Sequence, residues 1–112
     1  MRDQLEARYS CAVELTLSVL GGKWKPVILA HLKEQPLRYG ELRARIPRMS
    51  DKMLTQRLHE LVELGFVESG AGDRGHDYQL SDEGRRLAPV LEALHGWGTT
   101  TARRFAIDLD NA

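Results

Sequence analysis

At 112 residues, with 42% of them hydrophobic and 29% charged, the chain has the composition of one globular domain and leaves little room for a second core. No apolar run approaches the roughly 20 residues that span a bilayer, and the first residues lack the apolar stretch of a signal peptide, so we expect a cytoplasmic protein without membrane contact. The single cysteine, Cys11, excludes an intramolecular disulfide and leaves a disulfide between two chains open.

The net charge of zero argues against a nucleic-acid partner, because phosphate binding depends on Lys and Arg. The distribution of the charges reverses that expectation. Residues 23–57 hold nine Lys or Arg against three acids, a balance of +6, whereas residues 1–22 sum to −1 and residues 58–112 to −5. A nucleic-acid site is therefore expected in the basic central third.

Two helices are predicted before residue 36. The first runs from about Cys11 to Leu20 with Ser10 as its N-cap. The second begins near Lys23, tolerates Pro26 in its first turn and ends at Gln35-Pro36. Apolar residues recur at helical spacing in both: Val13, Leu17 and Leu20, then Trp24, Val27, Ile28 and Leu32.

Residues 38–65 have the pattern of two short helices joined by a tight break, which is typical of a helix-turn-helix. The first helix ends at Ile46, because Pro47 restricts the residue before it. Ser50 is the predicted N-cap of the second helix, and Gly65 stops it. The apolar stripe of this helix is Met53, Leu54, Leu58, Leu61 and Val62.

A β-hairpin is predicted over about residues 66–80. Short strand signals at Phe66-Val67-Glu68 and Tyr78-Gln79-Leu80 enclose a polar segment with three glycines. A hairpin that directly follows a helix-turn-helix is a wing.

The chain is predicted to close with a long helix over about residues 81–109, with Ser81 at its start. Pro89 is expected to bend this helix, and Gly96 and Gly98 leave open whether it continues unbroken. Its apolar stripe consists of Leu87, Val90, Leu91, Leu94 and Trp97.

Together these elements predict one domain over residues 1–112, mainly α with a small β-hairpin. Because a domain of this size buries a modest share of its surface, its terminal apolar segments are expected to pack on a second subunit.

The second helix of the helix-turn-helix is the candidate for reading DNA. If its apolar stripe faces the core, its other side presents Lys52, Thr55, Gln56, His59 and Glu63, with Ser50 at its start. In a major groove, Gln pairs with adenine, Lys pairs with guanine and Thr contacts a thymine methyl group. A merely solvated polar face is the alternative, and the basic stretch and the hairpin favour a recognition helix.

Two further sets of residues are candidates for contacts to the DNA backbone. Arg38, Arg43, Arg45 and Arg48 lie on or beside the supporting helix and are expected to contact phosphates, with ordinary surface charge as the alternative for each. Arg74 and His76 at the wing tip are expected to enter a minor groove or touch the backbone, and the adjacent Asp73 and Asp77 oppose this.

An ordered set of motifs runs through about residues 9–98. It comprises Cys11 with Val13-Glu14, Gly21-Gly22-Lys23-Trp24-Lys25, Tyr39-Gly40-Glu41-Leu42, Ser50 to Leu58, Gly65-Phe66-Val67, Tyr78-Gln79-Leu80-Ser81 and Trp97-Gly98. In these motifs the chain resembles the HxlR family of bacterial winged-helix transcriptional regulators, relatives of the MarR type. It departs from that pattern at Ala12, where proline is usual, and in its shorter, glycine-rich wing.

The resemblance implies a winged helix-turn-helix domain that dimerises through its N- and C-terminal helices and binds near-palindromic duplex DNA as a repressor or activator. In this chain the dimer contact is expected at Leu87, Val90, Leu91, Leu94 and Trp97. The resemblance also draws attention to Cys11, because several relatives sense oxidants or electrophiles through a cysteine at this place. A thiol at a helix N-terminus has a stabilised thiolate; the alternative for Cys11 is a small buried residue at a subunit contact.

Other functions find less support. Trp24 and Trp97 are candidates to line a pocket for a small-molecule effector, although aromatic residues at this spacing are also typical of a core. The histidines His31, His59, His76 and His95 lack metal-ligand spacing, so we expect no metal and no other cofactor. The sequence offers a lone Cys11 as nucleophile, without a base beside it or paired carboxylates, so we expect no enzyme activity. The remaining alternative is a winged-helix module that binds another protein without touching DNA.

Overall fold

The computed structural model describes residues 4–71 and 77–110. In this part of the chain the elements are α1 (Ala12–Leu20), α2 (Lys25–Glu34), α3 (Tyr39–Arg45), α4 (Asp51–Glu63), β1 (Val67–Ala71), β2 (Asp77–Leu80), α5 (Asp82–Arg85) and α6 (Ala88–Arg104). The strands β1 and β2 pair antiparallel as a hairpin. The predicted fold class, mainly α with a small β-hairpin, is confirmed.

The hydrophobic core lies where α2, α3, α4 and the hairpin meet, and α6 adds Leu91 to it. Its most deeply buried side chains include Ile28, Leu29, Leu37, Leu42, Ile46, Met49, Leu54, Leu61 and Val67. Burial of leucine-sized side chains is worth about 1.5–3 kcal/mol each, and it fixes which sides of α3 and α4 face outward.

Two of the three predicted helix caps are confirmed. The Ser50 hydroxyl accepts a hydrogen bond from the Met53 N–H, and the Ser81 hydroxyl accepts one from the Gly84 N–H. The prediction of Ser10 as the cap of α1 is wrong: Cys11 occupies the N-cap position. The Ser10 hydroxyl bonds instead to the Glu14 carboxylate, so it is not directed at a backbone N–H of the first turn.

The long C-terminal helix is interrupted, which corrects its predicted continuity. A turn at Arg86 and Leu87 separates α5 from α6. Pro89 lacks an N–H and its ring clashes with a preceding helical turn, so it lies in the first turn of a new helix instead of bending an old one. The glycines at 96 and 98 do not interrupt α6, which runs on to Arg104.

The helix α6 ends in a Schellman arrangement. Ala106 has φ +52°, the Ile107 N–H bonds to the Ala102 carbonyl at 2.8 Å, and the Ala106 N–H bonds to the Arg103 carbonyl at 3.3 Å. This reversal turns the last described residues back towards the start of α4, where Asp110 meets Arg48.

The apolar stripes are only partly buried within one subunit. On α4 the side chains of Leu54, Leu58 and Leu61 are buried, whereas Met53 is 37% exposed and does not belong to the core. On α1 only Leu20 is buried, and both other residues of the predicted stripe are exposed. An apolar stripe thus marks the side of a helix that packs, without saying on which chain its partner lies.

Candidate nucleic-acid interface

The outer face of α4 is a continuous polar surface. Lys52, Thr55, Gln56 and His59 are all exposed and, with Asp51, border one open groove of about 630 Å³. The opposite face carries the buried leucines of the core. The structure therefore brings together the α4 residues predicted to read DNA, on the side predicted from the apolar stripe.

Ser50 has a local role in this interface. Its hydroxyl lies 3.1 Å from the Met53 N–H, which satisfies one of the unpaired backbone donors of the first turn of α4. Replacing such a cap by alanine typically costs about 1 kcal/mol. Ser50 consequently stabilises the start of the reading helix.

The supporting helix α3 is joined to the start of α4 by a polar network that the sequence did not reveal. The Tyr39 hydroxyl donates towards the Asp51 carbonyl at 3.2 Å and the Asp51 carboxylate at 3.1 Å. The Thr55 hydroxyl in turn donates to the Tyr39 oxygen at 3.3 Å, and Arg43 Nε donates to the Asp51 carboxylate at 2.9 Å. Tyr39 and Asp51 therefore belong to the interface, although they are not among the predicted site residues.

No pattern in the sequence indicates this network, because it depends on the tertiary fold. Tyr39 is the first residue of α3, and twelve residues separate it from Asp51 and sixteen from Thr55. Neither interval is a helical repeat within one element. The pairing exists because the fold brings the first turns of α3 and α4 close together.

The predicted phosphate-contacting arginines are exposed or half-buried, and three of them lie beside carboxylates. Arg43 pairs with Asp51, Arg48 Nη2 lies 3.0 Å from Asp110 Oδ2, and Arg38 Nε lies 3.9 Å from Asp77 Oδ1. The Arg48–Asp110 pair is exposed on both sides and is worth about 0–1 kcal/mol, so Arg48 is able to exchange partners. The Asp77 carboxylate is buried, so Arg38 lies beside a buried charge. The role of these arginines towards DNA stays a prediction.

His59 Nε2 contacts the Glu63 carboxylate along the outer face of α4, four residues further on. This contact orients the imidazole at the far end of the groove. Glu60, further round the helix, lies 2.9 Å from Arg57 and 3.7 Å from the largely buried Lys25, which ties α4 to α2.

The stem of the wing is well defined, but its tip lies outside the described residues. Val67 pairs with Leu80, and Ser69 pairs with Tyr78 before the register shifts between Ser69 and Ala71. The predicted contacts of Arg74 and His76 fall in residues 72–76, for which the structure makes no statement.

Cys11 is exposed at the N-cap of α1. Hydrogen bonds from the backbone of Glu14 and Val13 lower the pKa of its thiol below the ordinary value. The segment before it is held by a hydrogen bond between the Tyr9 and Ser18 hydroxyls at 2.9 Å and by the Gln4 side-chain amide, which donates to the Glu60 carbonyl at 3.1 Å. Its exposure within one subunit leaves both interpretations, a reactive thiol and a small residue buried at a subunit contact, as predictions.

The predicted dimer residues divide into two groups. Val90, Leu94 and Trp97 are exposed, the last two by 51% and 72%. Leu91 is only 4% exposed and Leu87 is half-buried, and both pack on the core of their own subunit. The placement of Leu91 at a subunit contact is therefore corrected: on a helix whose two sides are both apolar, Leu91 faces inward.

A cavity of about 760 Å³ opens between α2, the end of α3 and the last described residues. Trp24 lines it and also packs on the core, whereas the exposed Trp97 belongs to neither. Burial lowers the pKa of His31 in this wall, and the positive charge of Arg45 lowers it further. The expected small-molecule effector stays a prediction.

No group of three or more side chains in the described ranges could hold a metal ion. Among the helices of residues 4–71 and 77–110, none combines the length and the apolar character needed to cross a membrane.

Comparison with known proteins places this geometry in a family. The sequence profile described as HxlR-like helix-turn-helix matches residues 19–105. An uncharacterized HTH-type transcriptional regulator of Bacillus subtilis, YtcD, is 40% identical over 100 residues, which cover 87% of this chain and 79% of that protein. The expectation of a regulator, and not an enzyme, is confirmed by the family and these relatives.

Solved structures agree with the sequence comparison. The crystal structure of YtcD has a TM-score of 0.74 at 41% identity and covers 83% of this chain and 98% of that one. The redox regulator HypR in its oxidized form has a TM-score of 0.74 at 34% identity, covering 80% and 96%. The quinone-bound YodB of B. subtilis has a TM-score of 0.67 at 32% identity, covering 79% and 96%. These are similarities of fold and sequence over most of each chain.

Proposed function

Because this chain belongs to the HxlR-like helix-turn-helix family of transcriptional regulators, we propose that it binds a specific duplex DNA sequence as a homodimer. The observation that carries the proposal is the outer face of α4, which is exposed, polar and flanked by arginines while its inner face is locked in the core. A helix presented in this way fits a major groove.

We propose two kinds of contact with DNA, one to base edges and one to phosphates. Lys52, Thr55, Gln56 and His59 meet base edges, where hydrogen bonds and methyl contacts distinguish the base pairs. The arginines on and after α3 contact phosphates and fix the register of the helix in the groove.

The homodimer is supported by apolar side chains that one subunit leaves in solvent. Val13 and Leu17 of α1, and Leu94 and Trp97 of α6, are all exposed. Val13 and Leu17 lie four residues apart on α1, and Leu94 and Trp97 lie three residues apart on α6, so each helix exposes an apolar side that a second subunit can cover. A two-fold dimer would place two copies of α4 in major grooves about one helical turn apart, on a near-palindromic site.

The test is a selection from random duplexes by the purified protein, followed by gel shifts over a range of salt concentrations. A DNA reader enriches a near-palindromic sequence and loses about 0.9 log units of affinity per log unit of salt for each phosphate it neutralises. Failure to enrich any sequence would refute the proposal, and it would favour a module that binds another protein.

The second part of the proposal concerns control through Cys11. HypR is a redox regulator and YodB is described bound to a quinone, and both resemble this chain. The exposed Cys11, with its lowered pKa, forms the nucleophilic thiolate more readily than an ordinary cysteine does. A quinone should therefore change DNA affinity in the wild type and not in Cys11→Ser; equal responses would refute this part alone.

A further inference from the structure

The network between α3 and α4 has a consequence for base recognition. We infer that Tyr39 is a specificity-determining residue: it holds the Thr55 hydroxyl, so that Thr55 offers its methyl group to the bases and reads the C5-methyl group of a thymine. The inference rests on the proposed function of α4.

Each hydroxyl proton of the network has an acceptor within the subunit. The Tyr39 hydroxyl has one proton, and both oxygens within its reach on Asp51 are acceptors, at 3.2 and 3.1 Å. Its oxygen then accepts the single proton of the Thr55 hydroxyl at 3.3 Å. The Thr55 proton is therefore donated to Tyr39 within the subunit and not to a base.

Two other helical threonines offer a comparison with Thr55. Thr16 and Thr99 donate to the carbonyl four residues earlier, at 2.9 and 2.8 Å. For Thr55 that carbonyl belongs to Asp51, and it is the one that receives the Tyr39 hydroxyl. The Tyr39 hydroxyl thus bonds to the acceptor that a helical threonine ordinarily uses, and Thr55 donates to Tyr39 instead.

The arrangement of these groups is rigid. A threonine has few χ1 rotamers in a helix, so holding its hydroxyl also selects the position of its methyl group. Arg43 Nε, 2.9 Å from the Asp51 carboxylate, fixes the acceptor and offsets its negative charge beside the DNA. Tyr39 itself is half-buried against the core, which anchors the network from below.

The exposed part of Thr55 faces the groove on the outer side of α4. Thr55 is exposed in the groove between Lys52 and His59, and its hydroxyl proton is donated to Tyr39. A threonine methyl group in a major groove contacts the C5-methyl group of thymine, a feature that the other bases lack. We therefore expect one thymine in each half-site to be read by shape, without a hydrogen bond.

The experiment removes one methyl group at a time from the DNA. Each thymine of the selected operator is replaced in turn by deoxyuridine, and affinity is measured for the wild type, Thr55→Ser, Thr55→Val and Tyr39→Phe. We expect one position per half-site at which the wild type loses about four-fold, the worth of one buried methyl group.

The variants separate the methyl group from the hydroxyl. At that position deoxyuridine should not weaken binding by Thr55→Ser, which lacks the threonine methyl group. It should weaken binding by Thr55→Val as much as binding by the wild type. In Tyr39→Phe the deoxyuridine substitution should cost less affinity than in the wild type, because the freed Thr55 hydroxyl can turn to the Asp51 carbonyl. Tyr78→Phe is a matched change in β2, and it should lose affinity at the same deoxyuridine positions as the wild type.

The outcomes are distinct. If the wild type selects no operator, the proposed function fails. If it selects one but no thymine shows a loss, or if Thr55→Ser or Tyr39→Phe keeps the full wild-type loss, the inference about Tyr39 and Thr55 is overturned and the proposed function stands. Thermal unfolding of each variant shows whether a change in profile reflects loss of fold.

Discussion

Gly84 of α5 lies directly against the backbone of Phe66: a Cβ atom built on Gly84 would be 2.1 Å from the Phe66 carbonyl oxygen. The same carbonyl accepts a hydrogen bond from the Ser81 N–H at 3.1 Å, and the Ser81 hydroxyl donates to the Gly65 carbonyl. This contact joins the end of the hairpin to the turn after α4.

Gly84→Ala should destabilise the protein by about 1–3 kcal/mol or more, because the backbone at Phe66 would have to move. Gly40→Ala is the matched control: no atom lies within 4 Å of the added Cβ, and alanine in α3 should gain up to about 1 kcal/mol. Urea denaturation measures both. A Gly84→Ala variant as stable as the wild type would show that the close contact is absent in solution.

Two substitutions on α6 should separate the dimer contact from the core. Leu94→Asp, on the exposed side, should give a folded monomer, whereas Leu91→Asp should cost more than about 3 kcal/mol because it buries a charge in the subunit. Sedimentation velocity and circular dichroism together report both properties. A Leu94→Asp protein that still sediments as a dimer would exclude this side of α6 from the contact.

The base-reading role of α4 predicts a difference between specific and random DNA. Gln56→Ala should weaken operator binding by about 1–3 kcal/mol and leave random DNA unaffected, because an amide that pairs with a base is lost. Arg48→Ala should weaken binding to both kinds of DNA. It should also reduce the slope of log affinity against log salt concentration by the contribution of about one phosphate. Gel shifts on the two duplexes measure this, and equal losses for Gln56→Ala would mean that Gln56 contacts only the backbone.

The Cys11 thiol should have a lower pKa than an ordinary cysteine. The backbone hydrogen bonds from Glu14 and Val13 stabilise the thiolate, so the pKa is lowered in the folded state alone. The rate of alkylation by iodoacetamide, followed against pH, should have its midpoint at lower pH in the folded protein than in urea. Identical midpoints would show that the helix N-terminus does not act on the sulfur.

His31 should make the fold less stable in mild acid. Burial and Arg45 lower its pKa from 6.5, so the unfolded chain takes up the proton first. The free energy of unfolding should therefore fall as the pH drops below about 6.5 and level off once the folded state is protonated as well. His31→Gln should remove part of this slope, and a slope unchanged by His31→Gln would contradict the prediction. Denaturation at several pH values checks the difference.

Local rules were sufficient where one element determines its own structure. The leucine spacing of α4 predicted its inner and outer faces, Ser50 and Ser81 predicted caps, and strand signals predicted the hairpin. They failed at Ser10, where a carboxylate one turn later competes for the hydroxyl, and at Pro89, which starts a new helix.

What the sequence by itself determined is the succession of helices and strands and the polar face that α4 presents, because periodicity and capping act within a few residues of the chain. Only the tertiary structure decided that Tyr39 meets Asp51 and Thr55, and that Leu91 faces its own core while Leu94 faces away. These relations depend on how separate helices cross, and a helical repeat says which residues share a side without saying what that side will touch.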